Sequence, residues 1–286
     1  MHVVVLGGTG YVGQGLLPSL LHEGHRVRVI ARRPLGLLGT SVIRADARTV
    51  DWQEVLVDTD AVINLIGIIR EHRETGATFS GIHVDLLERL LGAMGTCGVH
   101  RLIHLSALGS RPGAVSIYHQ TKWAAEQLIH QAPGLSFTIL RPSLLFGGGS
   151  PFFETLAKIA GTPLGALIPG RGESLFDPVF RGDVARMVVA ALADPDGTRG
   201  QTFEIGGPQR LSLNALIDHV ADVKGLGPVA KRHLPLPWLV RLARLGQDFG
   251  RFPVTVDQLV MLGENNVTDD DRWHHWVSPS PLGTDL

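Results

Sequence analysis

The sequence predicts an α/β protein: a doubly wound parallel sheet with a smaller, mainly helical C-terminal lobe. Three observations carry that expectation. The run His2-Val-Val-Val-Leu6 breaks into glycines at 7, 10 and 13 and then into a Leu-rich helical pattern. Short β-branched runs alternate with helical patterns through the first half of the chain. After Arg141-Pro142 the texture changes to Gly147-Gly-Gly-Ser-Pro151 and further Gly/Pro-rich stretches.

Strands are expected near 2–6, 26–31, 41–45, 60–66, 101–106 and 135–141, each a short apolar run. Helices are expected near 11–23, 51–57, 78–96 and 115–131, where apolar residues recur at three- and four-residue spacing. Another helix follows Pro151, and Thr162-Pro-Leu-Gly165 and Pro169-Gly-Arg-Gly172 read as loops. The alternation returns with a helix at 183–192, for which Asp183 is the expected N-cap, and a strand at 201–205. From Ser212 onward the chain reads as mainly helical, and Val277-Ser-Pro-Ser-Pro-Leu-Gly283 reads as a loose tail.

With 286 residues the chain can bury a substantial core. Its 26 basic and 27 acidic residues nearly balance, so no electrostatic footprint points to nucleic acid. The single Cys97 excludes an internal disulfide framework, and without a CxxC or a His/Cys cluster no metal site is expected; the pair His274-His275 matches no metal spacing. The N-terminus enters the first strand without a charged leader, and no apolar run reaches the roughly 18 residues of a spanning helix. A reducing, cytoplasmic setting is expected. The stretch Trp238-Leu-Val-Arg-Leu-Ala-Arg-Leu245, preceded by Lys231-Arg232, is apolar and basic. Such a helix ordinarily packs on its own lobe; a membrane surface or a partner is the alternative.

The strand, glycine turn and helix at 2–23 form a phosphate-binding unit of the dinucleotide (Rossmann) type. One glycine permits the tight turn, one admits the pyrophosphate to backbone N–H groups, and one lets the helix approach the strand. An acidic residue closing the second strand would mark NAD(H), whereas arginine there suits a 2′-phosphate. Arg32 and Arg33 stand at that point with no carboxylate, so NADP(H) is expected over NAD(H). The dinucleotide-binding domain is accordingly placed at 1–146 plus 179–206, and the smaller substrate or partner lobe at 147–178 plus 207–286. A second constellation joins Ser106-Ala107 at a strand end to Tyr118 and Lys122, four apart on one helical face. An ammonium beside a phenol favours its ionised form, and such a group can exchange a proton with a substrate hydroxyl.

These motifs, with Asp46 after the third strand, Asn64-Leu-Ile-Gly67 and Leu140-Arg-Pro142, together resemble the extended or atypical short-chain dehydrogenase/reductases, which are NAD-dependent epimerase/dehydratase-like. More narrowly, Val62-Ile-Asn-Leu-Ile-Gly67, His104-Leu-Ser-Ala-Leu-Gly109, Pro178-Val-Phe-Arg-Gly-Asp183 and Pro253-Val-Thr-Val-Asp-Gln-Leu-Val260 look like the nucleotide-binding accessory subunits of respiratory complex I and their bacterial relatives. The resemblance implies that Thr9, Tyr11 and Val12 join Gly7, Gly10 and Gly13 around the pyrophosphate, with Arg32 and Arg33 at the ribose phosphate. It implies Asp46 and Ala47 near the adenine, and Leu65, Ile66 and Gly67 beside the adenosine ribose. Tyr118 and Lys122 would meet the nicotinamide ribose, with Pro142 and Ser143 over the carboxamide. In competent members a strand-end hydroxyl orients the substrate; here Ser106 is the candidate, although the alignment favours Ala107 at that place. His83 falls where many relatives carry Asn, and as a lone histidine among apolar residues it reads first as a packing residue.

Three functions follow from this reading. The first is an NADP(H)-dependent oxidoreductase acting on an apolar carbonyl or quinone-like small molecule, with Tyr118 as acid/base. The second is a non-catalytic NADP(H)-binding accessory or assembly subunit of a respiratory complex, peripheral on the inner face of a membrane. The third is a dinucleotide-sensing regulator.

Overall fold

The β-branched N-terminal run forms β1 (His2–Leu6), and the glycine turn leads into α1 (Tyr11–His22). The computed structural model describes the chain except residues 33–35, 37, 163–164, 248–253 and 284. There follow β2 (Arg26–Ala31), β3 (Thr40–Arg44), the single turn α2 (Trp52–Val55) and β4 (Ala61–Asn64). A π-helical turn, Gly81–Asp85, opens into α3 (Leu86–Cys97), then come β5 (Arg101–Leu105), α4 (Ile117–Gln131) and β6 (Ser136–Pro142).

Beyond β6 the elements shorten: β7 (Leu145–Phe146), α5 (Pro151–Ala160), β8 (Ala166–Pro169), β9 (Leu175–Phe176) and β10 (Val179–Phe180). Next are α6 (Arg181–Ala193), the turn α7 (Pro195–Thr198), β11 (Gln201–Ile205), β12 (Leu211–Ser212) and α8 (Leu213–Val223). The chain closes with β13 (Lys231–Leu234), α9 (Leu236–Gln247) and α10 (Val256–Leu262).

Seven strands form one parallel sheet in the order β11-β6-β5-β4-β1-β2-β3. Chain order runs outward from β1 in one direction and from β4 in the other, so the switch point lies between them, where open α/β sheets place their ligands. Helices cover both faces: Leu16, Leu17 and Leu20 of α1 pack with Val184 and Val188 of α6 on one, and Leu86, Leu87 and Leu90 of α3 with Ala125 and Ile129 of α4 on the other. That double cover explains why β1 and β4 read as unbroken apolar runs. A further core joins Phe146, Phe153, Phe176, Leu213 and Leu216.

Helices α8, α9 and α10 predominate from Ser212 onward, as expected, with the short strand β13 added on β8. Two expectations are corrected here. Asp183 is not an N-cap: α6 starts two residues earlier, with Phe180 at its cap position. Its buried carboxylate instead accepts from the Ser280 backbone N–H at 2.6 Å and from Ser280 Oγ at 2.8 Å, beside Arg186. The tail is therefore not loose: Asp183 pins Ser280, and Leu282 and Leu286 enter the Phe153 core. Asp183→Ala should cost about 1 kcal/mol by removing the charge-assisted bonds to half-buried Ser280 and should speed proteolytic cutting within 277–283. Unchanged melting and cutting would remove Asp183 from this role.

Candidate functional site

A cavity of about 610 Å³ opens at the carboxyl ends of the strands, running from the glycine turn across the switch point to α5 and α10. Gly7, Thr9, Gly10, Tyr11, Val12, Gly13, Arg32, Asp46, Ala47, Leu65, Ile66, Gly67, Ser106, Tyr118, Lys122, Pro142 and Ser143 all line it. Arg33 lies outside the described residues.

The turn is built for close approach. Gly7 has φ +77°, a conformation that side chains disfavour, and its carbonyl accepts from Gly10 N–H at 2.9 Å. A Cβ on Gly13 would lie 2.5 Å from Gly7 O, Gly8 Cα and Gly8 O, so only glycine lets α1 sit this close to the turn. Gly10 stands at the N-cap position of α1, which has no side-chain cap and no acid in its first turn. Its first N–H groups are thus left to an anion, and the residues present fit a pyrophosphate.

Tyr11 ties this turn to the far side of the cleft, donating to Gly147 O at 2.6 Å with the Arg181 guanidinium 4.8 Å from its ring. Burial pushes its phenol up to about 12, and its hydroxyl is spent on Gly147, so it serves as a strut. At the other end of the turn Arg32 follows β2. Asp46 is held low by the Arg48 side chain, which chelates it through Nε and Nη2, with Arg32 contributing less. Arg48 also lines the cavity and was not anticipated; its signal was its place two residues beyond Asp46 after a strand end.

The second cluster departs from expectation in two ways. Lys122 Nζ donates to Leu105 O at 2.9 Å, and a Cβ on Gly67 would lie 3.1 Å from it, so the ammonium sits under the Leu65–Gly67 turn. Burial pushes Lys122 down to about 8, partly offset by Glu126. Because this lies below its unfolded value, Lys122 costs stability at neutral pH, and the cost fades as pH rises from about 8 through the ordinary lysine range. Tyr118 is driven the other way, up to about 12, by burial and then by the Asp257 carboxylate. Asp257 accepts from the backbone N–H of Ile117 at 2.8 Å and of Tyr118 at 3.1 Å. The expected phenolate is corrected: the ammonium is engaged elsewhere and the phenol stays protonated.

Ser106 is corrected too. Its hydroxyl donates inward to buried Glu126, which Arg141 grips through Nε and Nη2, and this removes it from the substrate-orienting role. Ala107, which follows it, lines the cavity and brings no hydroxyl. His83 accepts from Ile68 N–H at Nε2 (3.2 Å) and contacts Thr121 Oγ1 through Nδ1 (2.9 Å). A backbone N–H can only donate, so the imidazole proton is on Nδ1, and burial holds the ring neutral by pushing it down to about 2. His83 therefore joins the turn after β4 to the helix of Tyr118.

The remaining wall is apolar, formed by Phe152, Leu156, Ile159, Phe176, Val254, Met261 and Leu262, with Arg111, Glu264, Asn265 and Asn266 at its rim. Asn266 donates to Leu108 O at 2.8 Å and accepts from Ser143 Oγ at 2.7 Å. Asn265 and Asn266 were missed because they reach the site from a segment more than 100 positions beyond β6. Among the described residues no group of three or more His, Cys, Asp or Glu is placed to hold a metal.

The model of the NAD dependent epimerase/dehydratase family matches residues 3–206. The chain is 30% identical to the Arabidopsis thaliana mitochondrial NADH dehydrogenase [ubiquinone] 1 alpha subcomplex subunit 9, over 93% of this chain and 69% of that protein. It is 27% identical to a Mycobacterium tuberculosis 3 beta-hydroxysteroid dehydrogenase/Delta 5-->4-isomerase, over 74% of this chain and 66% of that one. A solved UDP-glucuronic acid 4-epimerase from Bacillus cereus superimposes with a TM-score of 0.75 over 100% of this chain and 96% of its own, at 22% identity, a likeness of fold alone.

Proposed function

Because this chain belongs to the NAD dependent epimerase/dehydratase family, we propose that it holds NADP(H) across the switch point and reduces an apolar carbonyl or quinone-like substrate. The carrying observation is that one cavity runs from the glycine turn to the apolar wall of α5 and α10, with Tyr118 and Lys122 between the two ends. The dinucleotide, when bound, supplies the hydride. The Lys122 ammonium holds ribose hydroxyls, and Tyr118 passes its proton to the carbonyl oxygen. The phenol keeps its proton at neutral pH and so has one to give, and reduction is the direction proposed. Gly7, Gly10 and Gly13 with Thr9, Tyr11 and Val12 hold the pyrophosphate, and Asp46 and Ala47 border the adenine. Leu65, Ile66 and Gly67 flank the adenosine ribose, while Pro142 and Ser143 cover the carboxamide.

The 2′-phosphate is assigned to Arg32, since Ala31 and not an acid ends β2. Arg32→Ala should weaken NADPH about tenfold or more, as the loss of a charge-assisted contact does, and leave NADH unchanged. Equal weakening of both would overturn that assignment. The reaction is tested by following nicotinamide absorbance with NADPH and a panel of apolar ketones and quinones, where steady oxidation with at least one is expected.

A second reading is favoured by Ala107 and the inward Ser106, and by the likeness to a complex I subunit. In it the nucleotide is a structural ligand of an accessory subunit that associates with a respiratory complex. Tight nucleotide binding with no turnover across the panel would establish it over the first.

A further inference from the structure

Between 223 and 247 the chain holds five Lys or Arg and no Asp or Glu, although its 26 basic and 27 acidic residues balance overall. Most of this stretch is β13 and α9. One side of α9 is committed to the interior: Leu239 and Ala243, four apart, are buried with Val254 and Leu259. Another side faces outward, where Trp238 and Leu242, also four apart, are 60% and 45% exposed. Arg241 lies 5.5 Å from the Trp238 ring centre, and Arg232, Arg241 and Arg244 are all exposed. Among the described residues no carboxylate pairs with any of these three. Leu167, 41% exposed, is the register partner of Arg232 across the β8–β13 ribbon. Register partners in parallel strands project to one side, so the ribbon repeats the combination of exposed apolar and basic groups.

We propose that this face docks on an anionic bilayer surface, with Trp238 and Leu242 at the acyl boundary and Arg232, Arg241 and Arg244 on lipid phosphates. Charge selects the occupant. A second copy of the same face would set arginine against arginine, whereas an anionic bilayer offers both the negative layer and the apolar one beneath it. At 12 residues α9 is too short to span, and no helix among the described residues is long and apolar enough to cross a membrane. It lies in the surface.

The inner side of α9 reaches the cavity. Ile159 and Val254 belong to the α9 core and also line the apolar end of the site. The docking face and the substrate end are thus two sides of one apolar layer, and an apolar substrate dissolved in the bilayer meets the site there. That last step rests on the proposed reductase reading; the docking itself does not.

The test is sedimentation of the whole chain with vesicles of phosphatidylcholine alone and of phosphatidylcholine with phosphatidylglycerol. Binding is expected only to the second, falling as salt rises, and about tenfold or more weaker in Arg241→Gln/Arg244→Gln and in Trp238→Ser/Leu242→Ser. These side chains are exposed, so melting and NADPH affinity in solution should stay unchanged, which separates failure of docking from failure of the dinucleotide site. Absence of sedimentation, equal binding to both vesicles, or variants that bind like the wild type would overturn the proposal. So would a dimer in light scattering that Trp238→Ser dissolves, which would assign the face to a second copy.

Discussion

Gly13→Ala is expected to weaken dinucleotide binding about a hundredfold or more, because angstrom-scale displacement of a binding constellation has effects of that size. The new methyl would lie 2.5 Å from three backbone atoms of Gly7 and Gly8, none of which can rotate away. The start of α1 must move off β1 and carry its free N–H groups with it. Overpacking of this kind costs about 1–3 kcal/mol, which lowers the melting temperature by about 2–4 °C per kcal/mol in a large domain. Gly15→Ala is the control: nothing stands within 4 Å of its added methyl, so binding should hold. Titration of both variants with NADPH, alongside thermal melts, checks the pair, and wild-type affinity in Gly13→Ala would contradict the phosphate assignment.

Tyr118→Phe is expected to keep NADPH affinity while turnover falls about 10²–10⁴-fold, the span of a lost general acid. Removing the hydroxyl leaves the packing of Tyr118 against His83 and Phe79 intact, so the site keeps its shape. The pH dependence distinguishes the neighbours. Lys122 is a cation below about 8 and loses its proton above that, so nucleotide affinity should weaken as pH rises through about 8. Tyr118 stays protonated until about 12 and should add no step in that window. Equal turnover in the Phe variant would assign the proton to another donor.

The sheet and the glycine turn were legible because each is a local pattern: β1 and β4 are apolar runs, and the turn needs glycine at fixed spacing. The Tyr118 and Lys122 pair was legible as a spacing but not as an environment. Its phenol is governed by burial and then by Asp257, 139 residues away, and its ammonium by burial and Leu105 O. Ser106 was misread for a similar reason, since the direction of its hydroxyl is set by Glu126 on α4, itself held by Arg141 on β6. Asp183 fitted a cap by type, but a tail nearly 100 positions later claims its carboxylate. Asn265 and Asn266 carried no motif and became site residues only through folding.

Equilibrium titration of the wild-type chain with NADPH and with NADH tests the central assignment most directly. The arrangement of Arg32 beyond an uncharged strand end predicts NADPH tighter by about tenfold or more, the worth of one charge-assisted phosphate contact. Tighter binding of NADH, or binding of neither, would contradict it.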